Sequence, residues 1–153
     1  MKNVLEQNLQ IRKGFYKILK NTPKETLLIT PTGFNNNIWW NIAHVVATQQ
    51  LLVYKLSGLP LVVTSEFVAK YKKGTAPNGS ATNEEIELVK KLLFSTIEKT
   101  TEDYNNALFK NFNPYPTSAG LTLTNVEDAI SFNFFHEGLH LGSIFALLRA
   151  VNI

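Results

Sequence analysis

Two of the chain's three histidines stand four residues apart in Phe134-Phe135-His136-Glu137-Gly138-Leu139-His140-Leu141-Gly142. An α-helix advances about 100° per residue, so His136 and His140 project from one face, one turn apart. The third, His44, lies in Trp39-Trp40-Asn41-Ile42-Ala43-His44-Val45-Val46, which also reads as helix. Two imidazoles on one helix and a third on a facing helix make a metal site with open coordination positions. That arrangement suits a catalytic ion better than a structural one.

A lone histidine on an apolar helix is usually a core imidazole bonded to a carbonyl or hydroxyl. Here the pair is spaced to share an ion, and it sits among Phe132, Phe135, Leu139 and Ile144, where an unpaired imidazole is costly. No histidine occurs elsewhere in the chain. The spacing therefore predicts a metal held by His44, His136 and His140. The same run satisfies the zinc-protease pattern H-E-x-x-H, in which the glutamate is the general base. The thirteen residues after His140 contain no Asp, Glu or His, and no sheet is expected to align a peptide, so proteolysis is not expected. Glu137 is the candidate catalytic acid or base, although its position about 100° around the helix from His136 points it to solvent on the simpler reading.

Composition narrows the chemistry further. The 153 residues are 44% hydrophobic, the size and apolar content of one domain spanning 1–153. Lys and Arg exceed Asp and Glu by 15 to 12, and apart from Lys70, Lys72 and Lys73 the basic residues are scattered. Nothing resembles a phosphate-tracking stripe, so no nucleic-acid partner is expected. No membrane span or signal segment is read, which makes a cytoplasmic location the expectation. With no cysteine the chain has no thiolate ligand or nucleophile, and any thiol chemistry must use an external thiol.

Four long helices must position the histidines. Val4, Leu5, Leu9, Ile11, Phe15, Ile18 and Leu19 recur at mostly helical spacing, giving a first helix that ends near Asn21-Thr22-Pro23. A Pro-, Thr-, Gly- and Asn-rich loop follows, with a cap available from Asn35 to Asn37. The second helix then runs to about Leu56 before Ser57-Gly58-Leu59-Pro60. A long connection, with a short helix over 65–71, leads to the capping box Thr82-Asn83-Glu84-Glu85 and a third helix reaching about Phe109 or Asn111. Thr124-Asn125-Val126-Glu127 opens the last helix, which runs to about Arg149. Inside it Gly138 and Gly142 each cost roughly 1 kcal/mol relative to Ala, so a close neighbour or ligand is expected beside them. Trp39, Trp40, Tyr54 and the phenylalanines are read as core. The fold class is all-α, a four-helix bundle with long connections and a site in its core.

Trp39-Trp40-Asn41-Ile42-Ala43-His44-Val45, then Gln49-Gln50-Leu51 and Lys55-Leu56-Ser57-Gly58, and finally His136-Glu137-Gly138-Leu139-His140-Leu141-Gly142 resemble the DinB-like metal-binding four-helix bundles, over nearly the whole chain. That group includes YfiT-type and thiol-dependent transferase proteins. The resemblance implies that His44, His136 and His140 bind one divalent metal, nickel or zinc, and that the protein is a homodimer. It also implies a transferase or hydrolase acting on a small molecule, with a low-molecular-weight thiol as nucleophile. One departure is Ser143, where members often carry glutamine. Asn41, Thr48, Glu137 and Ser143 are the nominated cavity walls, and a non-catalytic metal-binding or interaction scaffold is the competing reading.

Overall fold

A computed structural model of the chain describes residues 1–151. Six helices and one two-stranded ribbon follow in the order α1 (Lys2–Asn21), α2 (Lys24–Leu27), α3 (Ile38–Gln49), α4 (Ser65–Tyr71), α5 (Asn83–Asn105), β1 (Tyr115–Pro116), β2 (Thr122–Leu123) and α6 (Val126–Ala150). The all-α bundle is built from α1, α3, α5 and α6. α1 packs on α5 and α6, and α3 packs on α4, α5 and α6. None of the described helices is long and apolar enough to cross a membrane.

Each long helix starts where a side chain can satisfy its free amides. The Asn37 side chain accepts from the Trp40 amide at α3, and Thr82 with Glu85 forms a reciprocal capping box at α5. At α6 the cap is Asn125, which accepts from the Asp128 amide, rather than the expected Thr124. Thr124 instead donates its amide and hydroxyl to Asp128 Oδ2 at 2.9 and 2.8 Å.

α5 stops earlier than the periodicity of Leu108 suggests. Ala107 adopts φ 53°, and the Leu108 amide reaches back to the Asp103 carbonyl at 2.9 Å while the Ala107 amide bonds Tyr104. This is a Schellman termination with alanine where glycine usually stands, so composition gave no stop signal. The β1–β2 ribbon, two residues a side in antiparallel register, is also new relative to the sequence.

α3 does not end at Gln49 but continues as a π-helical turn over Gln50–Lys55. Gln49 Nε2 donates to Thr100 Oγ1 on α5, Gln50 Nε2 donates to Gln49 Oε1, and Gln50 Oε1 accepts from the Val62 amide. These buried amides tie the widened turn to α5 and to the segment that follows it. Such insertions tend to sit beside functional sites, and this one begins six residues beyond His44.

The α3 residues Ile38, Ile42, Ala43, Val45, Val46 and Ala47 are fully buried against Phe15, Val89, Leu93, Ile144 and Leu147. At about 1.5–3 kcal/mol for each large apolar side chain buried, this cluster fixes α3 relative to α6. Truncating Leu93 at its centre to alanine costs about 2–5 kcal/mol. The fixed α3–α6 geometry is what brings His44 to the other two histidines.

Candidate metal centre

His44 on α3 and His136 and His140 on α6 meet so that one ring nitrogen of each lies within 4.8 Å of the others. The Nε2 atoms of His136 and His140 are 3.1 Å apart. A nitrogen-to-zinc distance of about 2.0–2.1 Å at ordinary coordination angles spaces two ligand nitrogens by about 3.0–3.4 Å, so that pair is at ligand spacing.

Which nitrogen faces inward is set by the groups behind the rings. His44 Nδ1 stands 2.6 Å from the Tyr71 carbonyl, which can only accept, so Nδ1 carries the proton and Nε2 the lone pair. Thr48 Oγ1 lies 3.2 Å from that Nε2 and donates to it. His140 Nδ1 is 2.6 Å from Asn41 Oδ1. The Asn41 amide is oriented by its own donations from Nδ2 to the Asn37 carbonyl at 2.7 Å and to Asn36 Oδ1 at 3.0 Å. His140 Nε2 is therefore also an acceptor aimed at the centre. His136 Nδ1 is buried without a hydrogen-bond partner, so this ring is held by packing against Phe132 and its two neighbours and by the contact of its Nε2 with His140 Nε2.

Two tryptophans support the arrangement from behind. Trp40 stacks on His44 with centroids 4.5 Å apart and planes 11° from parallel, and its Nε1 donates to Thr75 Oγ1. Trp39 Nε1 donates to the Tyr71 hydroxyl at 3.1 Å, fastening the C-terminal end of α4 whose carbonyl holds His44. The long connection is thus the strut of His44.

All three imidazoles are neutral at pH 7. Burial pushes His136 down to about 3, with His140, His44 and Arg12 adding to the effect. Burial and then His44 push His140 down to about 4. His44 is lowered by burial, against the opposing pull of its bond to Tyr71. Neutral imidazole is the form that ligates.

The histidines form one wall of a cavity of about 520 Å³ that also involves Thr48, Leu51, Leu52, Lys55, Leu56, Lys73, Tyr115, Thr117, Ser118 and Phe132. The π-helical turn contributes Leu51, Leu52 and Lys55, and the β1 ribbon contributes Tyr115. Of the four nominated walls only Thr48 lines it. Asn41 lies behind His140, while Ser143 is exposed and donates to the Leu139 carbonyl of its own helix.

Glu137 requires a correction: it does not face solvent. Its side chain is 0% exposed and paired with Arg12, also 0% exposed, through Arg12 Nε to Oε2 at 2.7 Å and Nη2 to Oε1 at 2.6 Å. Asn133 Nδ2 donates to Oε1 at 2.7 Å and to Asn8 Oδ1 at 3.1 Å. Glu137 does not line the cavity, and its oxygens are taken by these donors. Arg12 and Asn8 were missed in the sequence, although both occupy the buried stripe Leu5, Asn8, Arg12, Phe15, Leu19 of α1. Phe135 and Leu139, read as surroundings of the histidines, are 48% and 56% exposed on the outer face of α6.

The sequence profile of the DinB superfamily matches residues 7–144, which takes in all three histidines. The chain belongs to the DinB superfamily. A search of curated proteins finds no match.

Proposed function

We propose that the chain binds one divalent metal ion through Nε2 of His44, His136 and His140 and acts on a small molecule held in the adjoining cavity. The observation that carries this reading is the anchoring of His44 and His140 by acceptors behind them, which turns their lone pairs toward a common point beside His136. Outer-shell acceptors of this kind fix tautomer and raise ligand basicity. Imidazole donors suit zinc and nickel, and the family resemblance favours the same two. Once bound, a dication with three neutral ligands acidifies a water or thiol and polarises an electrophile.

The chain's own residues favour an anionic substrate. Lys55 and Lys73 line the cavity, no Asp or Glu does, and among the described residues neither lysine forms an ion pair. Leu51, Leu52, Leu56 and Phe132 give the apolar part of the wall, and the Tyr115, Thr117 and Ser118 hydroxyls give neutral hydrogen-bonding groups. The reaction class that fits is transfer or hydrolysis with an external nucleophile. A thiol in that role comes from outside, since the chain has no cysteine. With its oxygens engaged by Arg12 and Asn133, Glu137 serves as a positioning group for α6 rather than as acid or base.

Cobalt substitution tests the reading. The expected result is about one ion per chain and a visible spectrum that changes with small thiols, hydroxide or azide. The protein should then join a thiol to a generic electrophile faster than His136→Ala does. A cobalt spectrum indifferent to all three additives makes the ion coordinatively closed and replaces the enzyme with the scaffold.

A further inference from the structure

Several hydroxyls on the long helices serve the helix itself. Thr96, Thr100 and Thr101 of α5 and Ser143 of α6 each donate to the carbonyl four residues back, at 2.7, 2.8, 2.9 and 3.1 Å. Thr48 of α3 is turned elsewhere. Its Oγ1 lies 3.2 Å from Nε2 of His44, the side chain one helical turn before it. That nitrogen carries a lone pair, because the Nδ1 proton of the same ring goes to the Tyr71 carbonyl. The hydroxyl therefore donates to the electron pair that an ion would take. Among the described residues, Thr48 is also the one non-histidine residue lining the cavity that reaches a histidine nitrogen. The other polar lining groups, Lys55, Lys73, Tyr115, Thr117 and Ser118, make no such bond.

We propose that Thr48 is a specificity-determining hydrogen-bond donor of the site, whose hydroxyl caps the His44 lone pair without metal and donates to the ligand on the ion with it. This rests on the metal reading above and adds to it a residue that acts on the ligand. One lone pair serves one partner, so an ion on His44 Nε2 displaces the hydroxyl proton. A β-branched threonine in a helix has two favoured χ1 wells. One would turn the hydroxyl back to the His44 carbonyl, as the threonines of α5 do. The other is the conformation it already has, beside the three imidazoles on the cavity wall, where it can find a new acceptor by rotating its proton alone. A donor in that place favours a ligand atom that keeps a free lone pair once it is on the ion. Anionic oxygen and nitrogen, as in hydroxide, carboxylate or azide, fit best, since hydrogen bonds to charged acceptors are the strong ones. A ligand whose only lone pair is already on the ion gains nothing.

The test compares two probes on the cobalt-loaded full chain, wild type against Thr48→Val, which removes the hydroxyl and keeps the branched shape. Azide is expected to bind the variant about five- to tenfold more weakly, the difference between a hydrogen bond to an anion and one to neutral water. Imidazole, whose one lone pair sits on the ion, is expected to bind both proteins alike. Cobalt itself, measured by chelator competition, is expected to bind the variant at least as tightly as wild type, because no hydroxyl competes for His44. Thr48→Ser returns the donor and is expected to restore azide affinity. Thr48→Ala gives the same readouts should the valine variant not fold. A hydroxyl that only supports packing would weaken cobalt, or would shift azide and imidazole together. Either of those results, or equal azide affinity in wild type and variant, overturns the role of Thr48 and leaves the metal site standing. A wild type that takes up no cobalt overturns the metal reading itself, and this role with it.

Discussion

His136 and Glu137 are neighbours in sequence and occupy two buried polar centres with opposite character. Around Glu137 donors meet an acceptor of opposite charge, since the Arg12 guanidinium pairs with the carboxylate and Asn133 donates to it, although Arg12 Nη1, Asn8 Nδ2 and Asn133 Oδ1 are buried without partners. Around His136 acceptors converge instead, because His44 and His140 turn Nε2 toward the same point, with the Thr48 hydroxyl donating to that of His44. The 3.1 Å approach of the His136 and His140 Nε2 atoms is favourable only with a proton or a cation between them. A centre of paired opposite charges suits a role in holding the fold, and a centre of convergent acceptors is the one suited to a cation. Electron-pair bookkeeping separates the two where burial alone does not.

Acid gives the largest expected break in this comparison. In the metal-free protein the folded imidazoles of His136 and His140 hold off protons down to about 3 and about 4, whereas in the unfolded chain they take protons near 6.5. Folded-state values below the unfolded value mean stability is complete above about 6.5 and falls as pH drops through 6 and 5 toward 4 and 3. Denaturant melts across that window should show a steeper slope for wild type than for a chain carrying His136→Gln and His140→Gln. Equal slopes would mean the imidazoles are not buried as described.

The closed centre breaks next. Arg12→Ala leaves the Glu137 carboxylate buried and unpaired, a loss of about 3–5 kcal/mol in chemical denaturation. Arg12→Met combined with Glu137→Leu should recover most of it, since removing both charges removes the desolvation cost as well as the attraction. A single variant as stable as wild type would show that the pair adds little. The open centre is expected to respond to metal instead. At a free ion concentration of about a hundred times Kd, binding stabilises wild type by about 2.7 kcal/mol and His140→Ala not at all. Calorimetric melts with and without zinc or nickel check this, and a metal-induced shift that survives His140→Ala would remove that residue from the ligand set.

The parts of these centres that were legible in the sequence are those carried by side-chain type at fixed spacing. The i,i+4 histidines, the apolar periodicity of the first helix, the Asn37 cap and the Thr82–Glu85 box all belong there. Tyr71 was illegible because it acts through its backbone carbonyl, which every residue has. The π-helical turn is held by Gln49 and Gln50, whose role depends on Thr100 and Val62 far along the chain. Asn8 and Arg12 did leave a signal, two polar residues at core positions of α1. They read as surface because their partners, Asn133 and Glu137, lie on the last helix. Tertiary pairing decided each of these cases, and single-segment pattern does not encode it.

A finer test asks whether the groups behind the rings matter to the open centre. Asn41→Leu removes the acceptor from His140 Nδ1 at similar volume, and the loss of such a partner typically weakens metal affinity 10–100-fold. Asn41→Asp keeps an acceptor in place and should retain affinity, measured by competition with a chromophoric chelator. If Leu and Asp behave alike, the amide is packing and the His140 tautomer is set elsewhere.

The smallest expected effect lies at the rim, on the charge of the ligand. Lys55 and Lys73 are exposed, so each interaction with an anion there is screened and is worth about 0.2–1 kcal/mol, a change of a few-fold at most. Lys73→Gln should therefore raise the Kd of a small acidic ligand of the cobalt protein by a few-fold and leave that of an uncharged ligand of the same size unchanged, with cobalt content equal to wild type. Because the two lysines approach from different elements, the π-helical turn and the segment after α4, Lys55→Gln should add to the effect rather than replace it. The dependence should also fade with salt, as interactions between exposed charges do over a Debye length of about 8 Å at physiological ionic strength. Equal loss for charged and uncharged ligands would show that Lys73 shapes the cavity rather than selecting its occupant by charge.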